Sequence, residues 1–480
     1  MSPDGGDLVL GIDVATAAVR VLAVQVAGGQ VVTSAEAPLP APTSPHPGEL
    51  EQLPLHAEVV RSVLRAVGAA LGPRVARVRA LSVTATSGSV VPADADGHPV
   101  GAVLLYADQR GAEAAARITA ATGLPVGAAS TLARLAWLAG EAPPADGGPP
   151  RYLHVPDVVV ADLTGRLVTD TSHALKAGID PVGGRWPVDL LAAAGVDCAA
   201  LPELVHPGAI VGEIRRGIAD DLALPPGVRV VAGMTDGCTA QVAAGAVAMG
   251  RTAGVLGTTL VLKGVAADEV TGFGGAVYSH LAPDGPWWPG GASNTGAGIL
   301  AADGGVPDLA AADADAARRG PSLWTTYPLA GTGERFPFVR PDATGFLLGP
   351  APPSALERHR ARLDGVAYVE RLGLERLAAL GVSSTDHRVV GGGTRSRVWT
   401  TIRASVLDRP VTRPAEPSSA FGTAVLAAAA LTGGSLAEAA DRMVQAAEVV
   451  DPDPTQVGPL EEGYRRLTDE LRRRGWLDDS

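Results

Sequence analysis

Two matching strand–turn–strand segments constrain the fold of this chain more than any other feature. The first joins the apolar stretch Leu8 to Ile12 with the β-like stretch Val19 to Val26. The second joins the stretch Thr252 to Leu256 with the stretch Leu260 to Lys263. Short apolar runs separated by polar or glycine turn residues are typical of buried strands paired as hairpins. The repeat therefore predicts two halves that each open with a hairpin-rich sheet.

The chain length supports a division into two α/β domains. A chain of 480 residues is ample for two domains with a sizeable core each. The boundary is best placed in the small-residue stretch Ala244 to Gly250, just before the second hairpin. We therefore predict an N-terminal domain of residues 1–245 and a C-terminal domain of residues 246–480.

Charge and cysteine content exclude several classes of partner and site. The net charge of −12 argues against long nucleic acid, whose phosphate backbone needs clustered Lys and Arg. Cys198 and Cys238, the two cysteines, imply neither a disulfide framework nor a cysteine metal site. The N-terminus lacks a signal-peptide pattern, and no apolar stretch is long enough to span a membrane. We expect a cytoplasmic protein without a membrane partner.

Helical spacing is clearest outside the two hairpins, and an exposed loop is expected at Pro143 to Pro150. An amphipathic helix is expected at the C-terminus, around Tyr464 and Leu467. The other predicted helices are His56 to Leu71, Gly111 to Thr122, Thr131 to Gly140, Cys238 to Val247, Ser396 to Leu407 and Ala420 to Leu431.

Two aspartates follow predicted strands and precede small residues. Asp13 follows the first strand, and Asp236 follows the β-like stretch Val228 to Ala232 after a short turn. A carboxylate held at a strand end can serve as the general base for a reacting hydroxyl. Strand-end aspartates also occur as plain helix N-caps and turn formers. Position alone leaves both interpretations open.

Glycine turns offer a second kind of site. Gly257-Thr258-Thr259 separates the second pair of strands, and Gly391-Gly392-Gly393 follows the stretch Arg388 to Val390. Backbone N–H groups at such turns and at helix starts bind phosphate because they are otherwise unpaired. A lone triple glycine is as often a plain loop. Together with Asp13 and Asp236 the turns favour phosphoryl transfer, which needs positioned phosphates, a metal ion and a base.

In this order and spacing, the motifs resemble those of the FGGY carbohydrate kinases over nearly the whole chain. Gly11 to Arg20 resembles the first phosphate segment of that family, and Tyr106 to Arg110 resembles its substrate segment. Gly233 to Gly237 resembles the segment with the catalytic aspartate. Gly257-Thr258-Thr259 resembles the second phosphate segment, and Gly391 to Trp399 resembles the adenosine segment.

The resemblance implies an actin-like (ribonuclease H-like) fold of two similar α/β domains around a central cleft, each built on a mixed five-stranded sheet. It also implies a sugar kinase that uses ATP and Mg²⁺, with sugar on the first domain and ATP on the second. Asp236 would be the general base, and Asp13 would hold Mg²⁺ through water. Ser87 and Asp108 would contact sugar hydroxyls. The implied contacts of ATP are Thr16, which would also approach the transferred phosphate, and Gly257, Thr258, Thr259, Asn294, Gly392 and Gly393.

The chain departs from the family pattern in its first phosphate segment. Ala15 replaces a usual glycine, and Ala17 and Ala18 replace usual serines. These changes remove polar contacts and could narrow the turn. Because Asp13, Thr16 and Asp236 are retained, we predict an active enzyme. The alternative of another class is a non-catalytic actin-like sensor that binds nucleotide or sugar.

Three short segments bear on the identity of the sugar. Thr84 to Ser89, Ala174 to Pro181 and Gly290 to Gly296 are similar to segments of D-ribulose kinases. We therefore expect a ketopentose such as D-ribulose, with D-xylulose or another polyol as the alternative. Ser87 would then contact the sugar, although a serine that caps the turn backbone fits equally well. A monomer or a homodimer is expected.

Several histidines and tryptophans have simple structural interpretations. His154, His173 and His387 show no metal-ligand spacing, so histidines with satisfied hydrogen bonds are the simpler interpretation. Trp287-Trp288 could stack on adenine, but ordinary packing is the more frequent reason for such a pair.

Overall fold

The structure is a computed structural model that describes residues 6–44, 48–128, 130–141, 150–350 and 353–477. Its residues divide into two compact units. Unit 1 comprises Met1–Ala243 and Ser419–Met443. Unit 2 comprises Ala244–Ser418 and Val444–Ser480.

Strands and helices alternate along the described residues. The strands are β1 (Leu8–Val14), β2 (Ala18–Gln25), β3 (Val31–Pro38), β4 (Glu51–Gln52), β5 (Val78–Ala85), β6 (Val90–Ala93), β7 (Val103–Leu104), β8 (Arg151–His154), β9 (Val168–Asp170), β10 (Glu203–Val205), β11 (Ile210–Glu213), β12 (Arg229–Val231), β13 (Arg251–Leu256), β14 (Leu260–Lys263), β15 (Tyr278–Leu281), β16 (Trp287–Ser293), β17 (Thr325–Glu334), β18 (Arg340–Leu348), β19 (Asp386–Val390), β20 (Val411–Pro414) and β21 (Ala446–Val450). The α-helices are α1 (His56–Leu71), α2 (Ala112–Thr122), α3 (Thr131–Glu141), α4 (Val155–Thr164), α5 (Thr171–Ala174), α6 (Val188–Ala193), α7 (Arg216–Asp221), α8 (Asp236–Ala243), α9 (Leu309–Arg319), α10 (Ala355–Ala379), α11 (Arg397–Leu407), α12 (Ser419–Thr432), α13 (Leu436–Met443) and α14 (Pro454–Arg473).

A six-stranded sheet with the order β11-β12-β5-β1-β2-β3 forms the centre of unit 1. β2 runs antiparallel to both of its neighbours, β1 and β3, whereas β1, β5 and β12 are parallel to one another. Helix α1 packs on β2 and β3, and α12 packs on β1 and β5. α1 buries Val60, Val63, Leu64 and Val67, which recur at helical spacing and form one apolar face against the core.

Helix α12 belongs to unit 1, whereas the division into residues 1–245 and 246–480 assigned it to the second domain. It lies directly against β1, where a Cβ at Gly11 would stand 1.8 Å from the carbonyl oxygen of Ala420. Only glycine permits such a close approach of two backbones. The chain therefore returns to unit 1 at Ser419 and leaves it after Met443. Local periodicity does not reveal this return, because an alanine-rich helix can pack on either sheet.

A seven-stranded sheet with the order β15-β16-β14-β13-β19-β20-β21 forms the centre of unit 2. β13 and β14 form an antiparallel hairpin, and β13, β19 and β20 are parallel. This repeats the arrangement of β1, β2 and β5, so the predicted repeat of layout is confirmed. The sheets have six and seven strands instead of five, because the antiparallel strands β11, β15 and β21 extend their edges.

Most predicted helices agree with the structure to within a few residues. The exception that matters is α8, which spans Asp236–Ala243 instead of Cys238 to Val247, so that Asp236 is its first residue. The amphipathic C-terminal helix is α14. The loop predicted at Pro143 to Pro150 falls outside the described residues except for its last position. Among the helices of the described ranges, none is long and apolar enough to cross a membrane.

Candidate active site

Three parallel strands of unit 1 end at one edge of the central sheet. Asp13 lies near the end of β1, and Ala85, the last residue of β5, bridges to Thr235, which follows β12. The carboxyl ends of parallel strands are the usual place for a ligand in α/β sheets. This edge brings together site residues that were predicted from three separate segments: Asp13, Ser87 and Asp236.

Asp13 carries a buried carboxylate oxygen, Oδ1, that has no hydrogen-bond partner in the part of the chain that the structure describes. Burial, followed by the negative charge of Asp236, raises the pKa of Asp13 to about 7, although Arg20 lowers it in part. A bound cation would favour the ionised form, so Mg²⁺ fits this position. The described residues contain no group of three or more potential ligands for a metal ion. Mg²⁺ tolerates this, because it keeps several water ligands.

Asp236 begins α8 and is partly exposed. Its Oδ1 accepts a hydrogen bond from the N–H of Gly237 at 2.7 Å. Its backbone carbonyl accepts from the hydroxyl groups of Thr239 at 3.1 Å and Ser419 at 3.2 Å. The last contact reaches from α12, so the returning helix of unit 1 helps to fix the backbone of Asp236.

Thr16 lies in the partly exposed turn between β1 and β2. The N–H of Ala15 donates to the carbonyl of Ala18 at 3.0 Å, and Nε2 of the buried Gln52 donates to the carbonyl of Thr16 at 2.8 Å. Ala15, Ala17 and Ala18 all keep the negative φ of ordinary residues. Alanine in this turn therefore causes no left-handed strain.

Ser87 and Asp108 differ in what they offer to a ligand. The Oγ of Ser87 is buried and has no hydrogen-bond partner among the described residues. Asp108 has no exposed surface, and its oxygens accept from the N–H of Leu50 at 3.3 Å and from the guanidinium of Arg110 at 2.7 Å. The geometry does not support direct contact of Asp108 with a sugar, because these neighbours cover its carboxylate. Asp108 instead orients Arg110.

In unit 2, the turn Gly257-Thr258-Thr259 is held by the segment that follows β16. The N–H of Gly257 donates to the carbonyl of Thr259 at 2.9 Å. The carbonyls of Gly257 and Thr258 accept from the N–H groups of Ala297 and Gly298 at 2.9 and 3.0 Å. The turn is thus preorganised by backbone contacts and carries no acidic side chain.

Asn294 lies in the same segment and is exposed. Its Nδ2 donates to the carbonyl of Gly333 at 2.9 Å, and its N–H donates to Oε1 of Glu334 at 2.7 Å. The buried carboxylate of Glu334 also accepts from the hydroxyl groups of Ser293 and Tyr327 at 2.8 and 2.7 Å. Glu334 therefore anchors the segment that holds the glycine turn. The sequence carries no signal for this role, since a single glutamate at a strand end belongs to no motif.

Gly391-Gly392-Gly393 follows β19 and packs against Leu256, the residue before the turn Gly257-Thr258-Thr259. A Cβ at Gly391 would lie 2.6 Å from the carbonyl oxygen of Leu256, and the φ of Gly391 is 91°. Both observations require glycine at this position. A Cβ at Gly393 would lie 2.4 Å from the side chain of Leu256. The two glycine segments that were predicted to bind ATP therefore converge within unit 2.

The remaining candidates have structural partners. His154, His173 and His387 are buried, and each hydrogen-bonds a carboxylate. Trp287 and Trp288 are buried in β16, so the packing interpretation is confirmed for them.

Comparison with known proteins assigns the chain to a family. Residues 8–243 match the N-terminal domain of the FGGY family of carbohydrate kinases, and residues 252–431 match the C-terminal domain. Xylulose kinase of Streptomyces coelicolor is 31% identical over 93% of each chain. Gluconokinase of Bacillus subtilis is 24% identical over 73% of this chain and 74% of that protein. The crystal structure of a "xyloylose kinase" from Brucella ovis has a TM-score of 0.87 at 26% identity, covering 98% of this chain and 100% of that chain.

The chain belongs to the FGGY family of carbohydrate kinases and has their actin-like fold. It is a sugar kinase with ATP as co-substrate, so the predicted phosphotransferase class is confirmed and the sensor alternative is not retained.

Proposed function

We propose that this kinase phosphorylates a ketopentose, with D-ribulose and D-xylulose as the two candidates. The observation that carries the proposal is the grouping of Asp13, Ser87 and Asp236 at one edge of the unit 1 sheet. The turn Thr84 to Ser89 resembles that of D-ribulose kinases, which favours D-ribulose. The relative from Streptomyces coelicolor is named a xylulose kinase, which favours D-xylulose.

Asp236 acts as the general base in this proposal. The proton of the attacking sugar hydroxyl passes to the carboxylate while the hydroxyl oxygen bonds the terminal phosphorus of ATP, and ADP leaves. Partial exposure of Asp236 supports the role, because a sugar can reach it. The contacts from Thr239 and Ser419 to its backbone support it too, since a base must be held in line with its substrate.

Asp13 holds Mg²⁺ through water, and Thr16 contacts the transferred phosphate. When bound, Mg²⁺ would neutralise the charge that the phosphate oxygens carry during transfer. The unpartnered Oδ1 of Asp13 supports this assignment, because a hydrated cation would replace its missing partner. The raised pKa of Asp13 supports it as well, since a nearby cation would offset the cost of its negative charge.

ATP binds to the converging glycine segments of unit 2. Their backbones offer close approach and N–H donors, which are the groups that hold phosphates in many nucleotide sites. The residues that we assign to this site are Gly257, Thr258, Thr259, Asn294, Gly392 and Gly393.

Ser87 contacts a sugar hydroxyl. Its buried, unpartnered Oγ supports this assignment, because a buried hydroxyl without a partner is costly and a ligand would satisfy it. Asp108 acts indirectly, through Arg110.

A substrate screen tests the proposal. ADP release is measured with ATP and each of D-ribulose, D-xylulose, glycerol, erythritol and gluconate, and kcat/KM is compared. We expect one ketopentose to exceed the other compounds by at least about 100-fold, a ratio that lost hydrogen bonds can produce. A higher kcat/KM for glycerol, erythritol or gluconate than for both ketopentoses would overturn the proposal.

A further inference from the structure

A short buried segment of unit 1 touches the ends of two strands that carry proposed site residues. Asp170 ends β9, and Thr171 to Ala174 form α5, with all of these residues buried. Neither the family resemblance nor the proposed mechanism gives these side chains a role. Their hydrogen bonds nevertheless lead directly to the residues beside Ser87 and Asp236.

His173 bonds the end of β5. Its Nδ1 lies 2.6 Å from Oδ2 of Asp170, and its Nε2 lies 3.2 Å from the carbonyl oxygen of Ala85. A carbonyl oxygen only accepts hydrogen bonds, so Nε2 carries a proton and donates it. Asp170 also accepts the N–H of His173 with Oδ1 at 2.8 Å, which fixes the ring. Ala85 stands two residues before Ser87.

Ser172 bonds the residue that precedes the proposed base. Its Oγ accepts the N–H of Thr235 at 3.3 Å and lies 3.4 Å from the hydroxyl of Thr235. Thr235 directly precedes Asp236 and bridges to Ala85. The segment Asp170 to Ala174 therefore holds both strand ends through hydrogen bonds that are shielded from water.

We propose that Asp170, Ser172 and His173 form a strand-end clamp that fixes the position of Ser87 relative to Asp236. These are positioning residues: they set how well a bound sugar presents its hydroxyl to the base. A displacement of about 1 Å at a reacting centre can cost about 100-fold in rate, so small movements of the two strand ends matter. This inference rests on the proposed function, because it takes Ser87 and Asp236 as sugar-facing residues.

The neighbouring His154 provides a matched control. Its Nδ1 bonds Oδ2 of Asp157 at 3.2 Å and the hydroxyl of Thr169 at 3.0 Å. It is as buried as His173, and the two ring centroids are 6.0 Å apart. None of its hydrogen bonds among the described residues reaches Ala85 or Thr235. A purely structural effect of losing a buried His–carboxylate pair should appear equally at His154.

The test compares His173→Leu, Ser172→Ala and the control His154→Leu. We expect His173→Leu and Ser172→Ala to raise KM for the sugar about tenfold and to lower kcat, which is the size of one lost buried hydrogen bond. KM for ATP should stay within about twofold, because the clamp does not belong to unit 2. His173→Gln, whose amide can still donate to Ala85, should recover part of the loss. His154→Leu should lower Tm without changing either KM.

Ser172→Ala removes a single oxygen atom, so it keeps the test decisive if His173→Leu does not fold. Equal changes in KM for sugar and ATP, or kinetics of the clamp variants that match those of His154→Leu, would overturn the clamp while leaving the kinase assignment intact. Wild-type protein that phosphorylates no ketopentose would instead refute the proposed function, and the clamp with it.

Discussion

The turn between β1 and β2 in unit 1 and the turn between β13 and β14 in unit 2 occupy equivalent places in their sheets but offer different chemistry. The first directly follows the end of β1, where the ionisable Asp13 has an oxygen without a partner among the described residues. The second carries Gly257-Thr258-Thr259, with no acidic side chain and with all three carbonyls already hydrogen-bonded. A carboxylate suits a hydrated cation, and a preorganised glycine turn suits a phosphate. The shared layout sets where a ligand meets each sheet, and the turn residues set which chemical group it meets.

Asp13 of unit 1 and Glu370 of unit 2 differ in the same way. Glu370 in unit 2 is buried, and burial alone would raise its pKa, as it does for Asp13. Arg403, however, donates to both of its oxygens at 2.5 and 2.6 Å, and His387 lies 3.1 Å away. These partners lower the pKa of Glu370 to about 2, whereas the pKa of Asp13 is raised to about 7. The charge of Glu370 is therefore compensated within unit 2, whereas Asp13 keeps an oxygen that a bound cation would stabilise.

The largest effect is expected from Asp236→Asn. The variant lacks the proton acceptor, so kcat should fall about 10³-fold, within the usual range for a general base. ATP should still shift Tm, because the proposed nucleotide contacts lie in unit 2. ADP release and thermal shift with ATP measure the two effects. Near-normal turnover of the variant would show that Asp236 is not the base.

The next largest effect is expected from Glu370→Gln, which removes one partner of a buried ion pair. The free energy of unfolding should fall by about 3 kcal/mol or more, because the charge of Arg403 loses its buried counter-charge. Urea denaturation measures it. The control Glu462→Gln removes exposed ion pairs of α14 with Arg465 and Arg466 and should cost less than about 1 kcal/mol. Equal effects of both variants would contradict the contrast between the buried carboxylates.

Two smaller effects of pH on the stability of the folded state are expected in unit 1, and they have opposite signs. The folded-state pKa of Asp13 is raised to about 7, so acidification from pH 7 to pH 5 stabilises the folded state through this group. Burial lowers the pKa of His56 to about 4, so acidification over the same range destabilises the folded state. Each pKa shift changes the free energy of unfolding by about 2 kcal/mol between pH 7 and pH 5.

The effects of Asp13 and His56 on the free energy of unfolding nearly cancel in the wild type, and single substitutions should separate them. In EDTA, Asp13→Asn should lose Tm relative to wild type as the pH falls from 7 to 5, because only the effect of His56 remains. His56→Gln should gain Tm relative to wild type over the same range. If the Tm difference from wild type changed in the same direction with pH for both variants, a raised pKa of Asp13 would be ruled out.

The strand ends of the site were predictable from sequence, whereas the groups that support them were not. Asp13 and Asp236 follow apolar runs and precede small residues, and such signals are local. The packing of α12 on Gly11, the burial of Asp108 and the anchoring role of Glu334 depend on contacts between segments far apart in the chain. No pattern within one segment records these contacts, because each partner is an ordinary residue in its own surroundings.

The smallest effect is expected from Ala15→Gly, which restores the residue that the family usually has in this turn. Ala15 keeps a negative φ and bonds Ala18 without strain, so glycine has no steric cost to relieve. Glycine should lower stability by about 0.5–1 kcal/mol through added freedom of the unfolded chain, and kcat/KM should stay within about twofold. The matched variant Ala17→Ser tests the lost polar contacts separately. A tenfold or greater rise of kcat/KM in Ala15→Gly would mean that alanine does restrict the unit 1 turn, and the turn chemistry of the two units would then differ by shape as well as by charge.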